Sequence, residues 1–341
     1  MKVAIAILNW NGKPLLEKFL PDVLKNIPAY AEVFVIDNAS SDDSVKFISA
    51  SFPSVKIIQN EKNYGFAKGY NEGLKKITAD YFVLLNSDVQ VTSHWIEPII
   101  ALMESDKTIA ACQPKLLNYN VRDEFEYAGG GGGYIDKWGY PFCRGRIFNS
   151  FEKDNGQYND IREVFWASGA CLFIRASVYN QAGGLDEDFF AHMEEIDLCW
   201  RIRNLGYKIM YCPDASVYHM GAGTLAKMNP KKTFYNFRNN LLMLCKNHAP
   251  GLLRTKLLLR GILDGFAGIK FLFAGDVAHF FAVIRAHFSF YSMLGKTLKK
   301  RKAIRKNIKR YATNCVYRKS IVWEYFVNGK KKFSELDKNL F

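Results

Sequence analysis

Several things are missing from this chain of 341 residues, and each absence narrows what it can be. Its seven cysteines are scattered, odd in number and never spaced as CxxC. That argues against a disulfide framework or a zinc knuckle and suits a reducing cytosol. No stretch offers the ~20 uninterrupted apolar residues that span a bilayer. The opening MKVAIAILNW enters an apolar strand directly, without a long apolar leader or small-residue cleavage site, so no signal peptide is expected. That strand is followed by NWNG rather than GxGxxG, so a nicotinamide-type site lacks its phosphate turn. Acid is scarce only in the tail: 23 Lys and Arg face 28 Asp and Glu up to residue 230, whereas 24 face 5 beyond it. The net charge of +14 therefore belongs to a basic C-terminal segment that meets something anionic, and the chemistry belongs to the acidic part.

What is present is a folded composition, 49% hydrophobic and 23% charged. Apolar strands Val3–Leu8, Val33–Ile36, Val55–Ile58 and Tyr81–Leu85 alternate with amphipathic helices, the mark of βαβ units and a parallel sheet. Ligands of such sheets bind beyond the carboxyl ends of the strands. YFVLLNSDVQV puts Asn86 and Asp88 there, oxygen ligands suited to Mg2+ or Mn2+, although an Asp can equally cap a turn. Asp37 ends the second strand, where a carboxylate can bind a nucleoside or close an Asx turn. Residues 119–162 read as an irregular lid or binding loop, and the five glycines Gly129–Gly133 as a mobile loop within it. Trp166 is a candidate to stack on a ligand or to pack in the core. FFAHMEEIDLCWRIRNLG reads as a helix with Glu194, Glu195 and Asp197 in its first turn, where the helix dipole favours carboxylates. Glu194 and Asp197 share a face and Glu195 points elsewhere, so one carboxylate can face a cleft while the others brace. His219, like Asp88, ends a strand.

Eight ordered segments, ILNWNG, VIDNASSDDS, NYGFAKGYNEG, LLNSD, SGACLFIR, GGLDEDFF, EEIDLCWR and Tyr218-His219, together resemble the inverting family-2 glycosyltransferases, in particular the rhamnosyltransferase-like group. The resemblance covers residues 1 to about 245. It implies a GT-A nucleotide-diphospho-sugar transferase fold, a Rossmann-like, mostly parallel α/β sheet over 1–230, and the composition of 231–341 adds a helical basic C-terminal region. It also implies the transfer of a sugar from a UDP-, dTDP- or GDP-linked donor to a glycan or lipid-linked hydroxyl, with inversion at C1, in polysaccharide assembly. By the same resemblance Asn9, Asp37, Asn63, Gly65, Phe66, Asn86 and Asp88 bind donor, and Asp88 and His219 hold Mg2+ or Mn2+. Glu195 stands at the base position with Glu194 as its rival, and Trp166 and Asp197 are acceptor contacts.

The tail's own chemistry points to a membrane surface. Residues 252–294 mix Leu, Phe and Ile with charge at helical spacing, as interfacial helices do, and Lys296–Arg310 carries nine cations without an acid. Residues 252–310 are thus expected to meet an anionic membrane surface, placing the protein in the cytoplasm at the inner face of the cytoplasmic membrane. No nucleic-acid partner is expected, because these cations come with an apolar run. The competing readings are a sugar-1-phosphate nucleotidyltransferase and a non-catalytic basic binding protein for nucleic acid or lipid.

Overall fold

A computed structural model of the chain describes residues 1–221 and 229–341. Its first part alternates β1 (Val3–Asn9), α1 (Lys13–Lys25), β2 (Ala31–Asp37), α2 (Ser44–Ser51), β3 (Lys56–Gln59), α3 (Gly65–Leu74) and β4 (Tyr81–Asn86). These strands run parallel in the order β4-β1-β2-β3. Both faces of the sheet are covered over its central strands, which is why β1 and β4 are almost wholly apolar, while β3 at the edge exposes Lys56 and Gln59. Successive residues of β1 go to opposite sides: Ala4 and Ala6 pack into one core layer, and Val3, Ile5 and Ile7 into the other. β5 (Val89–Val91), α4 (Glu97–Ser105) and β6 (Ile109–Asn118) follow.

Residues 119–162 are not a structureless lid. They contain β7 (Gly133–Asp136), β8 (Pro141–Cys143), β9 (Arg146–Ile147) and β10 (Ser150–Phe151), four strands of a second, small sheet. Phe125, Tyr134, Phe142 and Ile147 are buried there. The five glycines are not a mobile loop either. Gly133 lies so close to the indole of Trp166 that a Cβ would stand 2.1 Å from its ring, and Gly132 has a φ of +100°. Glycine is needed at these two positions by contact and by backbone conformation.

The chain returns to the main sheet through β11 (Arg162–Val164) and β12 (Cys171–Arg175), which inserts antiparallel between β4 and β6. After α5 (Ala176–Ala182) and α6 (Glu194–Asn204), β13 (Lys208–His219) pairs parallel with β6 and antiparallel with β5. The C-terminal part comprises α7 (Pro230–Asn247), α8 (Leu253–Phe273), α9 (Val277–Arg305), β14 (Val316–Tyr317) and α10 (Ile321–Phe326). No helix among the described residues is long and apolar enough to cross a membrane. One apolar core runs through residue 230: Leu241–Cys245, Phe290, Tyr317 and Phe333 pack in the same cluster as Phe165 and Trp200. β14 adds to the small sheet beside β7. Ile321 N donates to the buried carboxylate of Asp136, whose pKa burial pushes up to about 6.

Candidate active site

Strand register decides which residues meet at the carboxyl edge of the sheet. Asp88 sits in the turn between β4 and β5, and β5 pairs with the far end of β13 so that His219 lies opposite Val89. A register shift in β13 between Cys212 and Ser216 lets the strand stay on β6 to that point. Residues 131 apart in sequence thereby come to 3.1 Å, His219 Nε2 to Asp88 Oδ1. Asn86 Nδ2 is 3.5 Å from the same ring nitrogen. On the other side, His219 Nδ1 lies 3.1 Å from Glu126 Oε1. Burial by itself would lower the imidazole pKa, but the Glu126 and Asp88 carboxylates outweigh it and raise it to about 10.

Facing this row across a cavity of 260 Å³ is the start of α6. Glu194, Glu195, Asn86, Asp88, His219, Phe66 and Glu126 all line that cavity. Glu195 packs over Gly169, where a Cβ would stand 3.5 Å from the Glu195 side chain. Burial raises the Glu195 pKa to about 7. Glu194 is pushed well above the usual carboxyl range, first by burial and then by the neighbouring Glu195 charge. One oxygen of each, Oε2, has no hydrogen-bond partner. Burial thus raises both of these adjacent carboxyls above the ordinary range.

The approach to α6 is an unusual piece of backbone. Phe190, His192 and Met193 have φ of 61°, 69° and 73°, the left-handed region that side chains disfavour. The segment is held by α7: Asn239 Nδ2 lies 2.9, 2.9 and 2.8 Å from the carbonyl oxygens of Phe189, Ala191 and His192. Arg238 donates to the carbonyls of Asp188 and Phe189. His192 also lines the cavity, with burial, helped by Lys232, keeping it neutral (pKa about 4).

The other expected residues divide. Asn9 and Asp37 end β1 and β2 at the same edge, but outside this cavity. Asp37 accepts from Asn9 Nδ2 at 3.0 Å and from Ser40 N at 3.0 Å, which closes an Asx turn. Asn63 caps Gly65 N at 2.9 Å, and Gly65 combines a φ of +75° with a Phe190 ring 2.8 Å from where a Cβ would stand, so conformation and contact both call for glycine. These two shape the turn, and Phe66 alone of the three reaches the cavity. Two acceptor contacts are corrected. Trp166 is buried core, its Nε1 donating to Tyr134 O at 2.9 Å. Asp197 is fully buried, its oxygens taken by Arg201 (2.9 Å), Lys246 (2.7 Å) and Asn247 (2.6 Å).

Glu126, Tyr127, His192 and Lys232 line the cavity without having been singled out from sequence. Glu126 lies in a segment with no strand pattern to place it, and Lys232 stands just past the change in composition. Among the described residues no three His, Cys, Asp or Glu side chains form a ready metal cage. Asp88 is an oxygen donor suited to Mg2+ or Mn2+, and His219 can join it only by giving up the proton that Glu126 and Asp88 hold on it. Octahedral ligands at about 2.1 Å stand about 3 Å apart, the Asp88–His219 spacing, and Mg2+ commonly takes its remaining ligands from waters and phosphates. Glu126, 3.1 Å from Nδ1, holds the imidazole from the side away from Asp88.

Comparison with known proteins gives a consistent picture. The profile of glycosyl transferase family 2 matches residues 4–181. N-acetylglucosaminyl-diphospho-decaprenol L-rhamnosyltransferase of Mycobacterium tuberculosis is 23% identical over 273 residues, spanning 72% of this chain and 84% of that protein. The low-salt glycan biosynthesis hexosyltransferase Agl10 of Haloferax volcanii is 24% identical over 248 residues, spanning 70% and 74%. Among solved structures, S. aureus TarS 1–349 in complex with UDP-GlcNAc has a TM-score of 0.54 at 14% identity, over 94% of this chain and 99% of that one. Mannosyltransferase PcManGT from Pyrobaculum calidifontis, with GDP-Man and Mn2+, has a TM-score of 0.52 at 14% identity, over 90% and 85%. At these identities the two structures are likenesses of fold.

Proposed function

The chain belongs to glycosyl transferase family 2 and so transfers a sugar from a nucleotide-sugar donor, and from that premise we propose that the cavity between the end of β4 and the start of α6 is its active site, with Glu195 as the base. One observation carries the assignment: Asp88, His219 and Glu195, from three distant parts of the chain, line one cavity in which burial tunes Glu195 to about 7. A carboxylate of that pKa is half ionised near neutrality and takes the proton of an acceptor hydroxyl as its oxygen attacks the sugar C1. The new bond forms from the acceptor oxygen to C1 while the bond from C1 to the phosphate oxygen breaks, and its electron pair leaves with the nucleoside diphosphate. With one base and no protein nucleophile, the displacement inverts C1. Glu194, its neighbour in the same cavity, is the rival for the base role.

Asp88 and His219 would hold Mg2+ or Mn2+ against the donor diphosphate, and such an ion, when bound, neutralises charge developing on the leaving group. Asn9, Asp37 and Phe66, at the same sheet edge, are the nucleoside side of the site. The donor class is UDP-, dTDP- or GDP-sugar. The acceptor is a glycan or lipid-linked hydroxyl in polysaccharide assembly at the inner face of the cytoplasmic membrane. The acceptor named for the mycobacterial relative and the basic tail support that setting. Family membership does not favour the nucleotidyltransferase or the non-catalytic binding protein.

The test is a thermal-shift screen of UDP-, dTDP- and GDP-sugars with and without Mn2+, followed by nucleoside diphosphate release. One donor should stabilise the protein in a metal-dependent way and release its diphosphate, and Asp88→Ala should abolish both. An Asp88→Ala protein that turns over donor like the parent would refute the assignment.

A further inference from the structure

We propose that α8 and α10 together form an insertion face for an anionic bilayer, a surface that rests on the reading of a membrane-presented acceptor and sharpens it to named residues. Leu258, Ile262, Phe266, Ile269 and Phe273 recur every three or four residues and so form one stripe along α8. All are exposed, from 46% for Ile269 to 87% for Phe273. Trp323, Phe326 and Val327 at α10 are at least half exposed. The two elements are neighbours: Ile262 and Leu263 line one apolar groove with Trp323 and Phe326, and Lys270 Nζ stands 4.3 Å over the Phe326 ring. A contiguous patch of this kind, unlike scattered single residues, marks a surface that meets something apolar.

Charge identifies what that is. The acids on these two helices are turned inward. Asp264 is fully buried against Arg260 and His287 and accepts from the Tyr140 hydroxyl at 3.0 Å. Glu324 is 1% exposed and pairs with Lys330 at 2.9 Å. Arg254, Lys270, Lys319 and Lys331 remain exposed. Exposed aromatic and aliphatic side chains bordered by cations, with the acids withdrawn, match the headgroup boundary of an anionic leaflet. A second copy is disfavoured, because it would present a tail of the same sign, 24 cations to 5 acids over residues 231–341.

The expectation of a uniform lipid-binding tail over 252–310 is modified by this arrangement. Lys296 and Lys300 are paired with Asp188 and Asp186, and Arg301 donates to Cys245 O at 2.7 Å, so part of the Lys296–Arg310 cluster holds the fold together. The aromatic anchor Trp323 and Phe326 lies beyond residue 310 altogether.

The experiment is cosedimentation of the full chain with phosphatidylcholine vesicles and with mixed phosphatidylcholine–phosphatidylglycerol vesicles. The parent should pellet with the anionic vesicles, and Phe266→Ser/Phe273→Ser and Trp323→Ser/Phe326→Ser should each weaken binding about tenfold or more. Lys299→Ala/Lys302→Ala, outside the face, should weaken it less. Brominated lipid should quench a part of the tryptophan emission that Trp323→Phe removes. Parent-like binding by both double-serine variants, or a dimer in sedimentation velocity that they dissociate, would overturn the proposal. Nucleoside diphosphate release without vesicles reports on the transferase reading alone, so failure of that reading is told apart from failure of this face.

Discussion

Glu195 is the residue whose environment and chemistry are most directly linked. Its pKa of about 7 lies above the ordinary carboxyl value because burial penalises the charged form. Donor turnover is therefore expected to rise with pH through about 7 and then level. Glu195→Gln should cut turnover by about 10²- to 10⁴-fold while leaving donor-induced thermal stabilisation intact. Stability should move the opposite way. A carboxyl whose folded pKa is raised favours the fold most at low pH, and that contribution is lost as pH climbs from the unfolded value toward 7. Glu195→Gln should accordingly unfold at higher temperature than the parent at pH 8 and show little difference at pH 4.5. Equal melting at both pH values would remove burial as the cause of the shift. The signal for these carboxylates was legible in EEIDLCWR, but which of the two serves was not, since both share one helix turn and both line the cavity.

At the scale of an element, α7 sets the geometry of α6. The left-handed residues Phe190, His192 and Met193 persist because Asn239 gathers three carbonyls that would otherwise relax. Asn239→Ala should lower kcat by about 10²-fold and also raise donor KM, because the segment that Asn239 holds carries the carboxylates on one side and, through Phe190 O and Phe66 N at 3.1 Å, the donor side on the other. It should also move the pH midpoint of turnover, a change that simple destabilisation would not produce, and Asn239→Asp should not restore it. Unchanged pH dependence would reduce Asn239 to a structural role. Nothing local in KKTFYNFRNNLL announces this function, because the three carbonyls lie about 50 residues earlier in the chain.

For the whole molecule, the change in composition near residue 230 does not mark the end of a core. Lys246 and Asn247 satisfy Asp197, Arg301 caps the Cys245 carbonyl, and Tyr317 and Phe333 fill the small sheet. A chain ending at residue 245 leaves Asp197 buried with Arg201 as its one remaining charged partner. Breaking such a buried network costs on the order of 3–5 kcal/mol, much of the stability of an ordinary domain. That truncated chain should show no cooperative thermal transition by circular dichroism. A sharp transition near that of the full chain would mean the C-terminal helices are dispensable for folding.

The sequence by itself determined the alternation of strand and helix, the apolar character of β1, β2 and β4, and the placing of Asn9, Asp37, Asn86 and Asp88 at strand ends, because these follow from side-chain periodicity and from where it stops. That His219 joins Asp88 was expected from the resemblance, whereas tertiary structure alone decided that Glu126 backs His219 and that Trp166 and Asp197 turn inward. Those outcomes depend on strand register and on pairings between distant parts of the chain. Local patterns carry no information about which distant partner completes a buried charge.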